Sequence, residues 1–264
     1  MLIHVVADFG AADLAFAEVT QRLKRLLPRA EVLVTSVPPF ATLAAGFCAA
    51  QLALNDAPRD TMVFHNVAPR RDDRAGRPDN AGEAFACLIL PSGVRVVGAN
   101  AGHAFSFLKH HAVDFRVVNV DNAGTQFRSR DNYPDGIARV LNGEPHALGE
   151  PVPLERVPEV PEAAVAYVDG FGNIKTTITG LAEFPLGSTV NVTINGVTRS
   201  VTLAAAGFAL PEGELVLAPG SSGWKDPSGE QLRFRELFLR GGSAFREFGE
   251  PPNGAEITLT AAGA

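Results

Sequence analysis

The sequence predicts an α/β N-terminal domain, a mostly parallel sheet with flanking helices, followed by a small all-β C-terminal barrel. Three observations carry this. The first 67 residues alternate short β-branched runs with stretches of helical periodicity. Five prolines then fall between Pro145 and Pro161, which keeps the chain extended and semi-rigid. Beyond them come short alternating runs separated by Gly- and Asn-containing turns. The expected organisation is therefore a domain over 1–145, a linker over 146–161 and a second domain over 162–264.

Leu2–Ala7 is an apolar run ending in Asp8-Phe9-Gly10, as a buried parallel strand and its turn would read. Asp13–Leu27 places Leu14, Phe16, Ala17, Val19, Leu23, Leu26 and Leu27 on one helical face, and Pro28 stops the helix. Glu31–Ser36 reads as a strand, Ala41–Leu54 as an Ala-rich helix and Thr61–Val67 as a third strand. A long polar loop rich in Gly and Pro follows. Phe85–Leu90 and Val94–Val97 flank the turn Pro91-Ser92-Gly93, and Phe115–Val120 is a further strand. Asp131 is placed to cap a helix from Pro134 to Leu141. In the second half, strands are expected in Tyr167–Ile178, in Ser188–Ala204 around an Asn195-Gly196 hairpin turn, and in three later segments ending at Ala261.

Composition narrows the function. A hydrophobic content of 46% and a charged content of 20% are those of an ordinary globular chain of 264 residues. A formal net charge of −6 argues against nucleic acid, and the arginines at 70, 71, 74 and 77 are interleaved with aspartates. No apolar run approaches the ~18 residues of a membrane span, and the N-terminus lacks the pattern of a signal peptide. Cys48 and Cys87 sit in apolar sequence and read as buried free thiols, consistent with a cytoplasmic protein. His103, His110 and His111 offer no facing pair with a carboxylate, so no metal is expected.

Two positions invite a chemical reading. Asp8 ends the first strand, where open α/β sheets bind ligands; the plainer role is a helix cap. In Tyr167–Thr177, two glycines bracket Phe171, with Asp169 and Asn173 at the edges of the turn. The two side chains suit the ammonium and carboxylate of an amino-acid head group, or else simply close a hairpin.

These stretches resemble, in order along the chain, motifs of the S-adenosylmethionine-dependent fluorinase, chlorinase and hydroxide adenosyltransferase family. Asp8-Phe9-Gly10 is similar to that family's Asp-Phe-Gly, whose Asp bonds both ribose hydroxyls. Asp169-Gly170-Phe171-Gly172-Asn173 with Thr176-Thr177 resembles the segment that grips the methionine end. Asn100 and Gly102 match a Gly-Pro-Asp-Asn-Gly segment, and Phe127 to Asp131 a Thr-Phe-His-Gly-Arg-Asp segment. Pro219–Trp224, including Ser222, and Glu236–Ala244, including Arg240 and Ala244, are similar to the stretches that enclose the adenine.

The resemblance implies a homotrimer with small-molecule sites at subunit interfaces. It also implies S-adenosylmethionine as substrate, no separate cofactor, and displacement of L-methionine at the ribose C5′ by water or hydroxide to give adenosine. A halide-using transferase and a non-catalytic binder of S-adenosylmethionine or adenosine are the alternatives. The implied binding residues are Asp8, Phe9, Asn100, Phe127, Asp169, Phe171, Asn173, Ser222, Arg240 and Ala244. The implied catalytic positions are Asn66, an arginine among Arg70, Arg71 and Arg74 (taken as Arg71), Arg128 and Ser129. Relatives that use hydroxide hold their water with Asp, Arg and His, whereas here Asn66 and Arg128 stand for the Asp and His. Neither takes a proton as a carboxylate does, so the water-activating set is expected to be broken.

Overall fold

The structure, a computed structural model, describes residues 1–69, 82–121, 124–181 and 183–262. The chain divides into two units, Met1–Glu159 and Val160–Ala264.

The first unit runs β1 (Leu2–Ala7), α1 (Leu14–Leu26), β2 (Glu31–Ser36), α2 (Thr42–Leu54), β3 (Thr61–Asn66), β4 (Phe85–Ile89), β5 (Arg95–Ala99), β6 (Asp114–Val118), α3 (Arg128–Asp131), α4 (Tyr133–Leu141) and β7 (Leu148–Pro151). These strands form one seven-stranded sheet in the order β2-β1-β3-β5-β4-β6-β7. Asp13 caps α1 by accepting the Ala15 N–H at 2.8 Å, and Lys24 and Arg25 sit in its last turn, where the helix dipole favours positive charge. One sheet face carries Ile3, Val5, Ala7, Met62, Phe64 and Phe85 against Phe16, Val19 and Leu23 of α1 and Ile137 of α4. On the other face α2 packs on β1, β3 and β5. Almost the whole of α2 is buried, which its Ala-rich composition permits.

The expectation of a mostly parallel sheet is corrected. β1–β2, β1–β3 and β3–β5 are parallel, but β4–β5, β4–β6 and β6–β7 are antiparallel. A parallel neighbour needs a crossover of a dozen or more residues. Helices supply one before β2 and before β3, but the short loop through Pro91-Ser92-Gly93 returns the chain directly beside itself. Within the proline-rich stretch, β7 pairs with β6, and Lys109 Nζ bonds the Val157 carbonyl at 2.8 Å and Glu159 at 2.5 Å.

The second unit contains β8 (Val165–Val168), β9 (Ile174–Thr176), β10 (Thr189–Ile194), β11 (Val197–Leu203), β12 (Leu215–Lys225), β13 (Gln231–Leu239), α5 (Ala244–Glu247) and β14 (Ile257–Ala261). Here too the expectation fails, because the strands form a second seven-stranded mixed sheet rather than a small closed barrel. The order is β14-β10-β11-β12-β13-β9-β8, with β11–β12 parallel. Closure needs a continuous ladder between the outer strands. Among the described residues, β8 and β14 approach through the single bridge Ala164–Glu256. The described residues are mostly β, two mixed sheets with few helices, which also corrects the expected α/β class. No helix among them is long and apolar enough to cross a membrane.

Candidate functional site

The order β2-β1-β3 means that the chain leaves β1 to one side through α1 and returns to the other through α2. A crevice opens at the carboxyl ends of strands that diverge in this way. Asp8 follows β1 at this point, and Asn66 ends β3 beside it, with Ala7 paired to Asn66. Asn100 follows β5, and its N–H donates to the Ala84 carbonyl at 2.8 Å. The approach to β4 therefore reaches the same edge.

Asp8 Oδ2 accepts the Phe40 N–H at 3.0 Å. Phe40 holds φ at +64°, a left-handed conformation that a bulky residue adopts only under constraint. A carboxylate has about four acceptor sites, and the Phe40 N–H takes one of those on Asp8. Phe9 and Phe127 meet edge to face at 5.8 Å, which ties the loop after β1 to the start of α3. Both rings also pack against the first unit's core, so their role is partly structural.

Arg128, next to Phe127, donates from Nε to the Tyr133 hydroxyl at 3.2 Å, and its Nη2 lies 4.0 Å from Glu83 Oε2. Gly82 leaves room for this guanidinium, since a Cβ there would overlap it. Tyr133 is buried and stacked on Phe85 at 4.1 Å, and burial raises its phenol above the usual range. Ser129 faces inward and is buried. Asp131 does not cap the following helix. It lies in α3, accepts Thr125 Oγ1 at 2.5 Å and pairs with Arg130 at 2.6 Å, chiefly the latter holding its carboxyl below the usual range. Arg71, with Arg70 and Arg74, lies outside the described residues.

The second unit carries a cavity of about 760 Å³. Its polar side is a compact network. Asp169 Oδ1 accepts the N–H groups of Phe171 at 3.0 Å and Asn173 at 3.1 Å, and its Oδ2 accepts Asn173 Nδ2 at 3.0 Å. The turn is thus closed by the same carboxylate that lines the cavity. Lys175 Nζ sits 2.8 Å from Glu236 Oε2 and 3.7 Å from Asp169 Oδ2. Phe171 and Phe208 rim the opening at 82% and 75% exposure. Gly172, at φ +82°, has the Ser243 hydroxyl where a Cβ would go, and its carbonyl accepts the Phe245 N–H.

Of the residues implied for this half, Asp169, Phe171 and Asn173 line the cavity. Ser222 is buried, and Ser221 forms the wall at the bulge in β12. Arg240 is exposed beside Gly241, and Ala244 is buried in the second unit's core. Lys175, Phe208 and Glu236 are additions. Lys175 carried a readable signal, since it stands two residues after Asn173 on the same side of a strand. Glu236 enters only through its pairing with Lys175 between β13 and β9.

No protein-family model and no curated protein matches the chain. Solved structures do. An uncharacterized conserved protein from Thermotoga maritima matches with a TM-score of 0.74 at 20% identity, over 98% of this chain and 100% of that one. A conserved hypothetical protein from Thermus thermophilus matches at 0.67 and 23% identity, over 98% and 99%. At these identities the likeness establishes a shared fold across the whole chain.

Proposed function

We propose that the protein binds S-adenosylmethionine and hydrolyses it to adenosine and L-methionine. The observation that carries this reading is the position of Asp8, a carboxylate at the diverging crest between β1 and β3. A carboxylate there accepts from two vicinal ribose hydroxyls at once. The cavity of the second unit supports it. Lys175 offers an ammonium to a carboxylate group, and Asp169 and Glu236 offer carboxylates to an ammonium group, beside two exposed phenyl rings. That is the chemistry of an amino-acid head group joined to an apolar or aromatic body.

Methionine leaves a sulfonium as a neutral thioether, so no acid has to protonate it; positioning and a desolvated nucleophile supply most of the rate. Water is favoured over a halide because Arg128, the nearest candidate for an anion pocket, already has Glu83 beside it. The test is incubation with S-adenosylmethionine, with and without chloride, and chromatographic separation of the nucleosides. Chloride-independent adenosine is the expected product. A 5′-chloronucleoside would establish the transferase alternative, and binding without any product the sensor alternative.

A homotrimer, with sites completed by a neighbouring copy, belongs to the same proposal. Light scattering should give three times the 27.8 kDa chain mass. A monomer mass would remove the neighbour that the reading requires.

A further inference from the structure

We infer that Glu83 is the general base of this reaction, acting on a water held between it and Arg128. The inference rests on the hydrolytic reading above and supplies the carboxylate that the sequence lacks at Asn66.

Glu83 lies two residues before β4, and Ala84 accepts the Asn100 N–H, so Glu83 stands at the edge that bears Asp8, Asn66 and Asn100. Alternation along β3 puts Asn66 on the face of Met62 and Phe64, the face that Phe85 and Tyr133 share. Arg128 is fixed there by its bond to the Tyr133 hydroxyl, and Phe127 ties it to the loop of Asp8 through Phe9. Glu83, Arg128 and Tyr133 thus meet at one end of the face on which Asn66 ends β3. The charged and titratable groups that face Glu83 include Arg128 and Tyr133.

The side chain of Glu83 is only 10% exposed, and its carboxylate stands 4.0 Å from Arg128 Nη2. That separation exceeds a hydrogen bond and suits a bridging water. Such a water accepts from the guanidinium, which fixes a lone pair, and donates to the carboxylate. The guanidinium itself takes no proton. In the reaction the water oxygen forms a bond to C5′ as the C5′–S bond breaks. The electron pair of that bond stays on sulfur, giving neutral methionine. The water proton passes to Glu83 and then to solvent, leaving adenosine. The carboxylate also offsets the charge of Arg128, which would otherwise repel the sulfonium.

The experiment measures adenosine formation from S-adenosylmethionine against pH, and adenosine affinity by calorimetry, for the unmodified protein, Glu83→Gln and Glu83→Asp. General-base catalysis contributes about 10²–10⁴-fold, so Glu83→Gln should lose at least about 100-fold in kcat. Its adenosine affinity should stay within a few-fold, which also shows that it folds. Glu83→Asp should restore part of the rate, since it returns a carboxylate to the same position. Equal rates and equal profiles for the unmodified protein and Glu83→Gln overturn the inference and leave the hydrolase reading standing. Tight adenosine binding with no hydrolysis by the unmodified protein overturns both, as does a failure to bind.

Discussion

Asp8→Ala is expected to weaken adenosine binding by about 30- to 1000-fold. A carboxylate bonded to two ribose hydroxyls contributes about 2–4 kcal/mol when its partners would otherwise be left unpaired, and each 1.4 kcal/mol is about tenfold in affinity. The substitution also removes the acceptor of the Phe40 N–H, in a loop where Phe40 already holds a left-handed conformation. Some of the loss will therefore come from that loop. Asp8→Asn separates the two contributions. The amide oxygen still accepts from Phe40, but it offers fewer lone pairs and no charge to the ribose. Affinity in the order unmodified, Asn, Ala, with similar unfolding midpoints, places the ribose on Asp8. Calorimetry giving the same affinity for all three would remove the ribose from this crest and, with it, the main support for the proposed function.

Most elements of the first unit were legible in the sequence because they have a local cause, but α3 and β7, the latter inside the expected linker, were not. Pro28 ends α1 and Pro91-Ser92-Gly93 makes the turn between β4 and β5. The sense of the sheet beyond β3 was not legible. A strand buried on both faces reads as a continuous apolar run whichever way its neighbours point. Phe85–Ile89 is such a run, and only the hairpin joining it to β5 marks it as antiparallel. The barrel expectation failed for a related reason: alternation gives strand existence and face, while closure depends on whether β8 and β14 form a ladder. No local residue pattern specifies that.

Site residues followed the same rule. The turn from Asp169 to Asn173 was readable because it is contained within five residues, and the same carboxylate that closes it also lines the cavity. Glu83 and Arg128 lie far apart in sequence and meet through the pairing of β4 with β5 and the stacking of Tyr133 on Phe85. A carboxylate brought in from another strand in this way is invisible to a reading of sequence neighbours, which is why the inference about Glu83 arises only from the fold.

Lowering the pH from 7.5 to 5.0 is expected to cost the protein about 2 kcal/mol of stability through His65 alone, by the linkage of protonation to folding. The ring of His65 is fully buried on β3, edge-on to Phe105 at 4.6 Å, and burial pulls its pKa down to about 3. Neither ring nitrogen has a hydrogen-bond partner among the described residues. The folded state keeps the imidazole neutral, while the unfolded chain takes up a proton below about pH 6.5. Between these two values the unfolded state binds more protons, so the contribution is complete above about 6.5 and is lost as pH falls toward 3.

At pH 5 the gap of roughly 1.5 pH units, at about 1.4 kcal/mol each, gives the 2 kcal/mol. Asp131, Glu159 and Asp226 also have lowered pKa values, but their contributions are lost only below the ordinary carboxylate range, outside this interval. His4 and His103 shift in the same direction as His65, so the comparison has to be made against a variant and not against pH alone. His65→Leu keeps much of the volume and removes two buried, unpaired nitrogens, so at pH 7.5 it should be as stable as the unmodified protein or more so. In urea unfolding its advantage should widen by about 2 kcal/mol at pH 5.0, as the linkage of its lost proton site requires. An advantage that stays constant between the two pH values would mean that the ring is protonated or solvated in the folded state, and the buried neutral imidazole would have to be abandoned.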